Sequence, residues 1–288
     1  MNLIDIASYQ GGMNLSEMFQ KNPSLGGVIV KVSQGTWYKN PYAKAWLDWL
    51  VANGKPAGTY HYLDTSGAVE EARYYVNEVK PWLGKVALAI DYEEGTLRMG
   101  TGYLKQCLDE VYRLTGVKPM VYCSQIQTLE AQDFSAIASA GYPLWVAQYP
   151  NYTPVRAFNP NPWHTGTSSP FPAYTMRQYT SSGYLNGWAK NLDFDLFYGD
   201  EEDWKKLTGD APEPTPALKP ATPDMILRIL HNEFGIGQER VNKLIQLGVD
   251  PVSCQNTINR LYSIASKVKA DIGKDMDYLN CLLWIIRS

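Results

Sequence analysis

Eight short apolar runs, spread over the first two hundred residues, constrain the fold of this chain most. They occupy residues 2–6, 27–32, 57–63, 86–93, 118–123, 143–149, 174–179 and 192–197. Each has the length of a strand, and several close on an acid. Between the early runs the spacing turns helical. Residues 41–53 set Ala45, Trp46, Trp49 and Leu50 on one face, and 68–79 and 102–114 follow. Ser124-Gln-Ile-Gln127 reads as a capping box opening a helix to Ala138. Such alternation implies parallel strands with right-handed crossovers, and eight strands suffice to close a barrel. Past the sixth run the helices fail: residues 151–172 are rich in Pro, Asn, Thr and Ser and read as a long loop. The expected fold class is therefore α/β, a distorted (β/α) barrel with irregular last strands, followed by a small all-helical C-terminal domain.

Prolines mark the division. Pro212, Pro214, Pro216, Pro220 and Pro223 fall in a semi-rigid linker over 209–223, which in a polyproline conformation extends about 3.1 Å per residue. It separates an expected barrel domain, 1–208, from a helical domain, 224–288. The helical part carries four apolar stripes: Ile226, Ile229, Leu230 and Phe234; Val241, Leu244 and Ile245; Cys254, Ile258, Leu261, Ala265 and Val268; and Met276, Leu279, Leu283 and Ile286.

Composition excludes several function classes. A net charge of −3 with 19% charged residues lacks the basic patch of a nucleic-acid binder. No apolar run approaches the roughly 20 residues of a membrane span, so no membrane insertion is expected. The start, Met1-Asn-Leu-Ile-Asp5, has no basic leader. Cys107, Cys123, Cys254 and Cys281 form no CxxC and read as free buried thiols made in a reducing compartment. His61, His164 and His231 are scattered, so no metal site is expected. Gly235-Ile-Gly237 is no dinucleotide loop, no cofactor is expected, and no nucleophilic serine elbow is visible.

The acids carry the chemistry. In Ala87-Leu-Ala-Ile-Asp-Tyr-Glu-Glu94, Asp91 and Glu93 lie two apart, so they project to one side of a strand end, and Glu94 points the other way. Two acids closing an apolar run are costly unless solvated or used. Glycosidic bond cleavage uses such a pair, one carboxyl as proton donor and the other as anion. Asp5 ends the first run, and Asp193 and Asp195 share a face of the eighth. Barrel closure makes the first and eighth strands neighbours, with the fourth across the mouth. Gln34, Tyr60, His61, Tyr62, Tyr122, Trp145, Gln148 and Gln178 mark other strand ends, a polar groove with aromatic walls suited to an oligosaccharide.

These residues resemble the family 25 glycoside hydrolases, the muramidase-type lysozymes of phage endolysins and bacterial autolysins. The matching pieces are Asp5-Ile-Ala-Ser-Tyr-Gln-Gly11, Lys31-Val-Ser-Gln-Gly-Thr36, Gly58-Thr-Tyr-His-Tyr62, Ile90-Asp-Tyr-Glu93, Val121-Tyr-Cys-Ser124, Leu144-Trp-Val-Ala147, Gln178-Tyr-Thr-Ser-Ser-Gly183 and Leu192-Asp-Phe-Asp-Leu-Phe197. The resemblance implies hydrolysis of the β-1,4 bond between N-acetylmuramic acid and N-acetylglucosamine in peptidoglycan. It implies Glu93 as general acid, Asp91 as stabiliser of developing charge or orienter of the substrate acetamido group, and Asp5 and Asp193 completing the acidic ring. Gln34, Tyr60, His61, Tyr62, Tyr122, Trp145, Gln178 and Asp195 would bind substrate. Gln34 stands where the family usually has Glu, and Arg177 where it usually has Trp, both expected near substrate. The alternatives are a peptidoglycan-binding pseudoenzyme and a glycosidase for another amino-sugar polymer such as chitin.

In the tail, Glu233-Phe-Gly-Ile-Gly-Gln-Glu-Arg240, Leu247-Gly-Val-Asp250 and Gln255-Asn-Thr-Ile-Asn259 resemble a cell-wall-binding repeat of phage lysins. The expected role is wall binding, with homo-oligomerisation as the alternative. Leu282-Leu-Trp-Ile-Ile286 would pack into the bundle or against a partner chain. The resemblance also implies synthesis in a host cytoplasm and action at the wall after release through membrane holes.

Overall fold

The computed structural model describes residues 1–209 and 218–272. The fourth apolar stripe, Leu282–Ile286, Cys281 and most of the proline stretch lie outside the described residues. The chain forms two compact units, Met1–Thr215 and Pro216–Ser288.

The first unit is built on β1 (Asn2–Ile6), α1 (Leu15–Lys21), β2 (Gly27–Gln34), β3 (Tyr38–Lys39), α2 (Ala43–Ala52), β4 (Ala57–Tyr62), α3 (Ala68–Val79), β5 (Ala87–Asp91), α4 (Gly100–Thr115), β6 (Met120–Ser124), α5 (Ser135–Ser139), β7 (Leu144–Ala147), β8 (Met176–Gly183), β9 (Leu192–Phe197) and α6 (Glu201–Thr208). The strands order β1-β9-β8-β7-β6-β5-β4-β2-β3, and β1 also pairs with β2, which closes an eight-stranded barrel with β3 as an outer flap. All eight runs are strands of that barrel, so the α/β barrel with irregular last strands is the observed fold.

Two expectations need correction. The barrel is not uniformly parallel: β9 runs antiparallel to both β1 and β8. Its connection from β8, residues 184–191, is shorter than the dozen or so residues a parallel crossover needs. The second concerns Ser124-Gln-Ile-Gln127. Ser124 makes no cap; its Oγ lies 3.0 Å from Thr128 Oγ1, and residues 125–129 form one wide π-type turn before the short α5. The helices α1 and α6 complete the unit.

Two apolar layers hold it together. Leu3, Ile29, Ala87, Ala89, Met120, Trp145, Met176 and Phe197 point inward and fill the barrel. Ile4, Ile6, Val28, Val30, Leu88, Ile90, Val121 and Val146 point outward beneath the helices. This is the two-residue alternation of a strand. The end opposite the mouth is plugged by Trp204 of α6. Its ring meets Phe197 edge-on at 5.1 Å, and its Nε1 donates to Ala57 O at 3.2 Å. Asp200 caps α6, accepting from the Asp203 amide at 3.0 Å.

The second unit contains α7 (Pro223–Leu230), α8 (Gly237–Gln246) and α9 (Pro251–Ile272). Ile226, Ile229, Phe234, Leu244, Cys254 and Ile258 form its core. Lys219 pairs in a bridge with Val249, so the end of the proline stretch is bound to the turn before α9. Cys107, Cys123 and Cys254 are free and buried. No helix among the described residues is long and apolar enough to cross a membrane.

Candidate active site

The inward-facing residues change character at the mouth. Above the apolar fill, Asp5, Tyr60, Asp91, Glu93, Tyr122, Trp145, Tyr149, Tyr152, Gln178, Ser181 and Asp193 line a cavity of about 350 Å³. A second lobe of about 370 Å³ shares Asp5, Tyr60, Asp91, Glu93 and Asp193, and adds Tyr9, Gln10, Lys31, Gln34, Tyr62 and Glu94. One cleft therefore holds five carboxyls, Asp5, Asp91, Glu93, Glu94 and Asp193, drawn from three distant segments of the chain.

Backbone direction explains the convergence. Asp5 and Asp91 sit at the carboxyl ends of β1 and β5. The strand stops at Asp91, but Glu93 stays extended (φ −153°, ψ 178°), so the two acids still face the same side. Glu94 then turns the chain at φ +48° and accepts from Tyr62 Oη at 3.0 Å. This corrects the expectation that Glu94 points away; it lines the second lobe. Because β9 is reversed, its beginning is at the mouth. Asp193 stands beside Asp5, whereas Asp195 pairs with Leu3 and lies deeper.

Burial governs the protonation of this cluster. Asp5 is pushed up to about 6, first by burial and less by the Glu93 charge, while the hydrogen bond from Gln178 holds it back. Asp193 is pushed up to about 8 by burial and by the charges of Asp5 and Glu93. Asp91 rises well above the usual carboxyl range through burial and the charge of Glu93. Glu93 is also raised, chiefly by burial. Lys31 answers this charge. Burial lowers its pKa, but its Nζ faces Asp91, Glu93 and Glu94, sits 4.4 Å from the Tyr62 ring centre and donates to Gln34 Oε1 at 2.8 Å.

Gln178 organises the floor. Its Nε2 donates to Asp5 Oδ2 at 2.6 Å, and its Oε1 accepts from Tyr122 Oη at 2.8 Å and from Tyr149 Oη. Trp145 Nε1 donates to Asp195 Oδ1 at 2.9 Å. Asp195 is fully buried against the Asp5 carboxyl, beneath the cavity and out of its lining.

Four sequence expectations do not hold, the first being Asp195, which was expected to bind substrate and lies beneath the cleft. His61 is fully buried in the layer between β4 and α3, 2.9 Å from Ser33 Oγ and 3.2 Å from Glu71 Oε2, because its neighbours Tyr60 and Tyr62 take the inward positions. Arg177, between inward-facing Met176 and Gln178, is likewise outside the cleft. It is fully buried beneath residues 151–175, where one guanidinium nitrogen donates to Trp163 O at 3.2 Å. Gln148 pins that same segment through two hydrogen bonds with Thr165, both 2.9 Å. Sequence reasoning missed Lys31, Tyr149, Tyr152 and Ser181. The inward parity of Lys31 with Ile29, and of Tyr149 with Trp145, was a usable signal; Tyr152, in the loop, offered none.

A family model, "Glycosyl hydrolases family 25", matches residues 4–188. The chain belongs to this family. It is a glycoside hydrolase of the lysozyme type. A lysozyme of Streptococcus phage Cp-7 is 27% identical over 267 residues, covering 90% of this chain and 69% of that protein. Among solved structures, the bacterial lysozyme of Streptomyces coelicolor superposes with a TM-score of 0.60 at 20% identity, covering 72% of this chain and 96% of the other. The catalytic domain of the endolysin ply40, from bacteriophage P40 of Listeria monocytogenes, gives 0.54 at 25% identity, covering 73% and 97%.

Proposed function

We propose that this chain hydrolyses the β-1,4 bond between N-acetylmuramic acid and N-acetylglucosamine in bacterial peptidoglycan. The observation that carries the reading is the Asp91/Glu93 pair of carboxyls, set side by side in a cleft lined by Tyr60, Tyr149 and Tyr152. In the reactive arrangement Glu93 carries the proton; it is half-buried and burial raises its pKa, the direction a general acid needs. Glu93 delivers the proton to the glycosidic oxygen. Asp91, then ionised, faces the positive charge that develops on the sugar ring. Asp5 and Asp193 hold the opposite wall and orient the attacking water. Aromatic faces flank the sugar rings.

In the same reading, residues 1–208 are the catalytic domain, 209–223 a linker and 224–288 a wall-targeting module. Supporting the last, similarity to the phage lysozyme extends over 267 residues, well past the barrel. The protein reaches the wall after release from a host cytoplasm.

The test uses purified cell walls and the full chain. The parent should clear the suspension, and Glu93→Gln should slow clearing by roughly two to four orders of magnitude, the usual contribution of a general acid. Equal rates would remove Glu93 from the role. Mass spectrometry of the fragments should find muramic acid at each new reducing end; glucosamine there would refute the assigned bond. Deleting 210–288 should weaken wall retention while leaving hydrolysis of a short soluble substrate in place.

A further inference from the structure

A larger cavity than either lobe of the mouth lies on the flank of the barrel and takes no part in the chemistry above. It has a volume of about 620 Å³ and is lined by Asn22, Arg156, Tyr184 and residues 185–189, Trp188 among them. The connection between β8 and β9 forms it by folding back over the end of α1. Its shape is fixed rather than loose. Asn22, buried, donates through Nδ2 to Asn186 O at 2.8 Å, and its Oδ1 accepts from the Asn186 amide at 3.1 Å. Gly187 completes the turn at φ +95°, a conformation that favours glycine. The strand-like pairing of Val155 with 182–184, through Val155 N to Ser182 O and Tyr184 N to Val155 O, both 2.8 Å, carries Arg156 to the rim.

The chemistry of the lining is selective. Arg156 is exposed, lies 5.3 Å from the Tyr184 ring centre and is the only charged lining residue. Tyr184 and Trp188 are half-buried and offer ring surface. The mouth, by contrast, is ringed by carboxyls. A guanidinium beside an aromatic ring remains able to bind a carboxylate bidentately. Aromatic surface beside it accepts the apolar face of a sugar ring. Position adds a further constraint: Ser181 lines the mouth and Tyr184 lies three residues on, roughly 10 Å along the chain at the rise of a strand.

We propose that this cavity is a second, non-catalytic site for the acidic amino-sugar strand, with Arg156 taking a carboxylate of the wall polymer and Tyr184 and Trp188 supporting a sugar ring. The proposal rests on the peptidoglycan reading above and adds a place of attachment to it. Its role is to hold the strand while the mouth cuts.

The test uses the full chain carrying Glu93→Gln, so that binding is read without cleavage, and two added substitutions, Arg156→Gln at the exposed rim and Trp188→Phe, which retains an aromatic ring in the packing. Soluble muropeptide with free carboxylates is titrated calorimetrically. The doubly substituted chain should bind one equivalent fewer than its Glu93→Gln parent. Retention on purified walls should weaken roughly tenfold for Arg156→Gln, as expected for loss of a charge-assisted bidentate contact. Amidating the wall carboxylates should remove that difference. In a Glu93 background, both substitutions should leave turnover of a short soluble substrate unchanged. An unaltered stoichiometry, or a deficit that persists on amidated walls, overturns the proposal. Failure of the peptidoglycan reading is distinguishable, because the unsubstituted chain would then not cleave walls at all.

Discussion

Gln178 and Asp5 lie 173 residues apart, on strands separated by β9, and are joined by a 2.6 Å hydrogen bond across the floor of the cleft. Through the other end of its amide, Gln178 also collects Tyr122 and Tyr149. One side chain thereby fixes an acid and two aromatic walls. Gln178→Leu should lower kcat by at least about tenfold, since misplaced catalytic geometry is costly. It should also raise the pKa of Asp5, because the bond it removes favours the ionised form. A pH–rate profile checks both: the acid limb should move to higher pH in the variant.

Lys31 should tune the pair from the other side. Its charge lowers both Asp91 and Glu93. Lys31→Met should therefore raise both, and the alkaline limb of kcat should move upward as Glu93 keeps its proton to higher pH. A limb that moves down would contradict the electrostatic assignment.

Stability should carry the imprint of the acid cluster. Asp193 has a folded-state pKa of about 8, above its unfolded value of about 3.9. The folded state thus binds more protons, and the contribution of this group falls as pH rises from about 4 to about 8. Asp193→Asn should be more stable than the parent, and the gap should widen across that window. Urea melts at a series of pH values measure it; a constant gap would show that the group is not perturbed.

The plug at the base of the barrel should be purely structural. Trp204 is 2% exposed and fills the end opposite the mouth. Trp204→Ala should cost about 3–5 kcal/mol, the range for deleting a buried aromatic. Hydrolysis by the fraction that remains folded should keep its KM.

His61 should behave in the same way. It is buried between Ser33 and Glu71, and burial lowers its pKa, so it is neutral at pH 7. His61→Ala leaves Glu71 short of a partner and should destabilise by about 1–3 kcal/mol. KM for soluble substrate should not change, whereas a residue in contact with substrate would move it.

The sequence by itself determined the barrel, its eight strands and the acids at their ends. Those features follow from local rules: apolar runs of strand length, helical spacing between them, and charge permitted only where a run reaches solvent. The parity rule even placed Asp91 and Glu93 together beyond the last hydrogen-bonded residue, because Glu93 remains extended. The same rule, applied with inward parity counted from Ile29 and Tyr60, separates Lys31 from His61. Strand-end position alone does not, and so His61 and Arg177 were expected at the substrate. Tertiary structure decided the rest. The reversal of β9, forced by a short connection, put Asp193 at the mouth and Asp195 beneath it. The floor network and the flank cavity both arise from segments distant in the chain. Hydrogen bonds and burial of that kind depend on which strands become neighbours on closure, and one-dimensional patterning carries no such term.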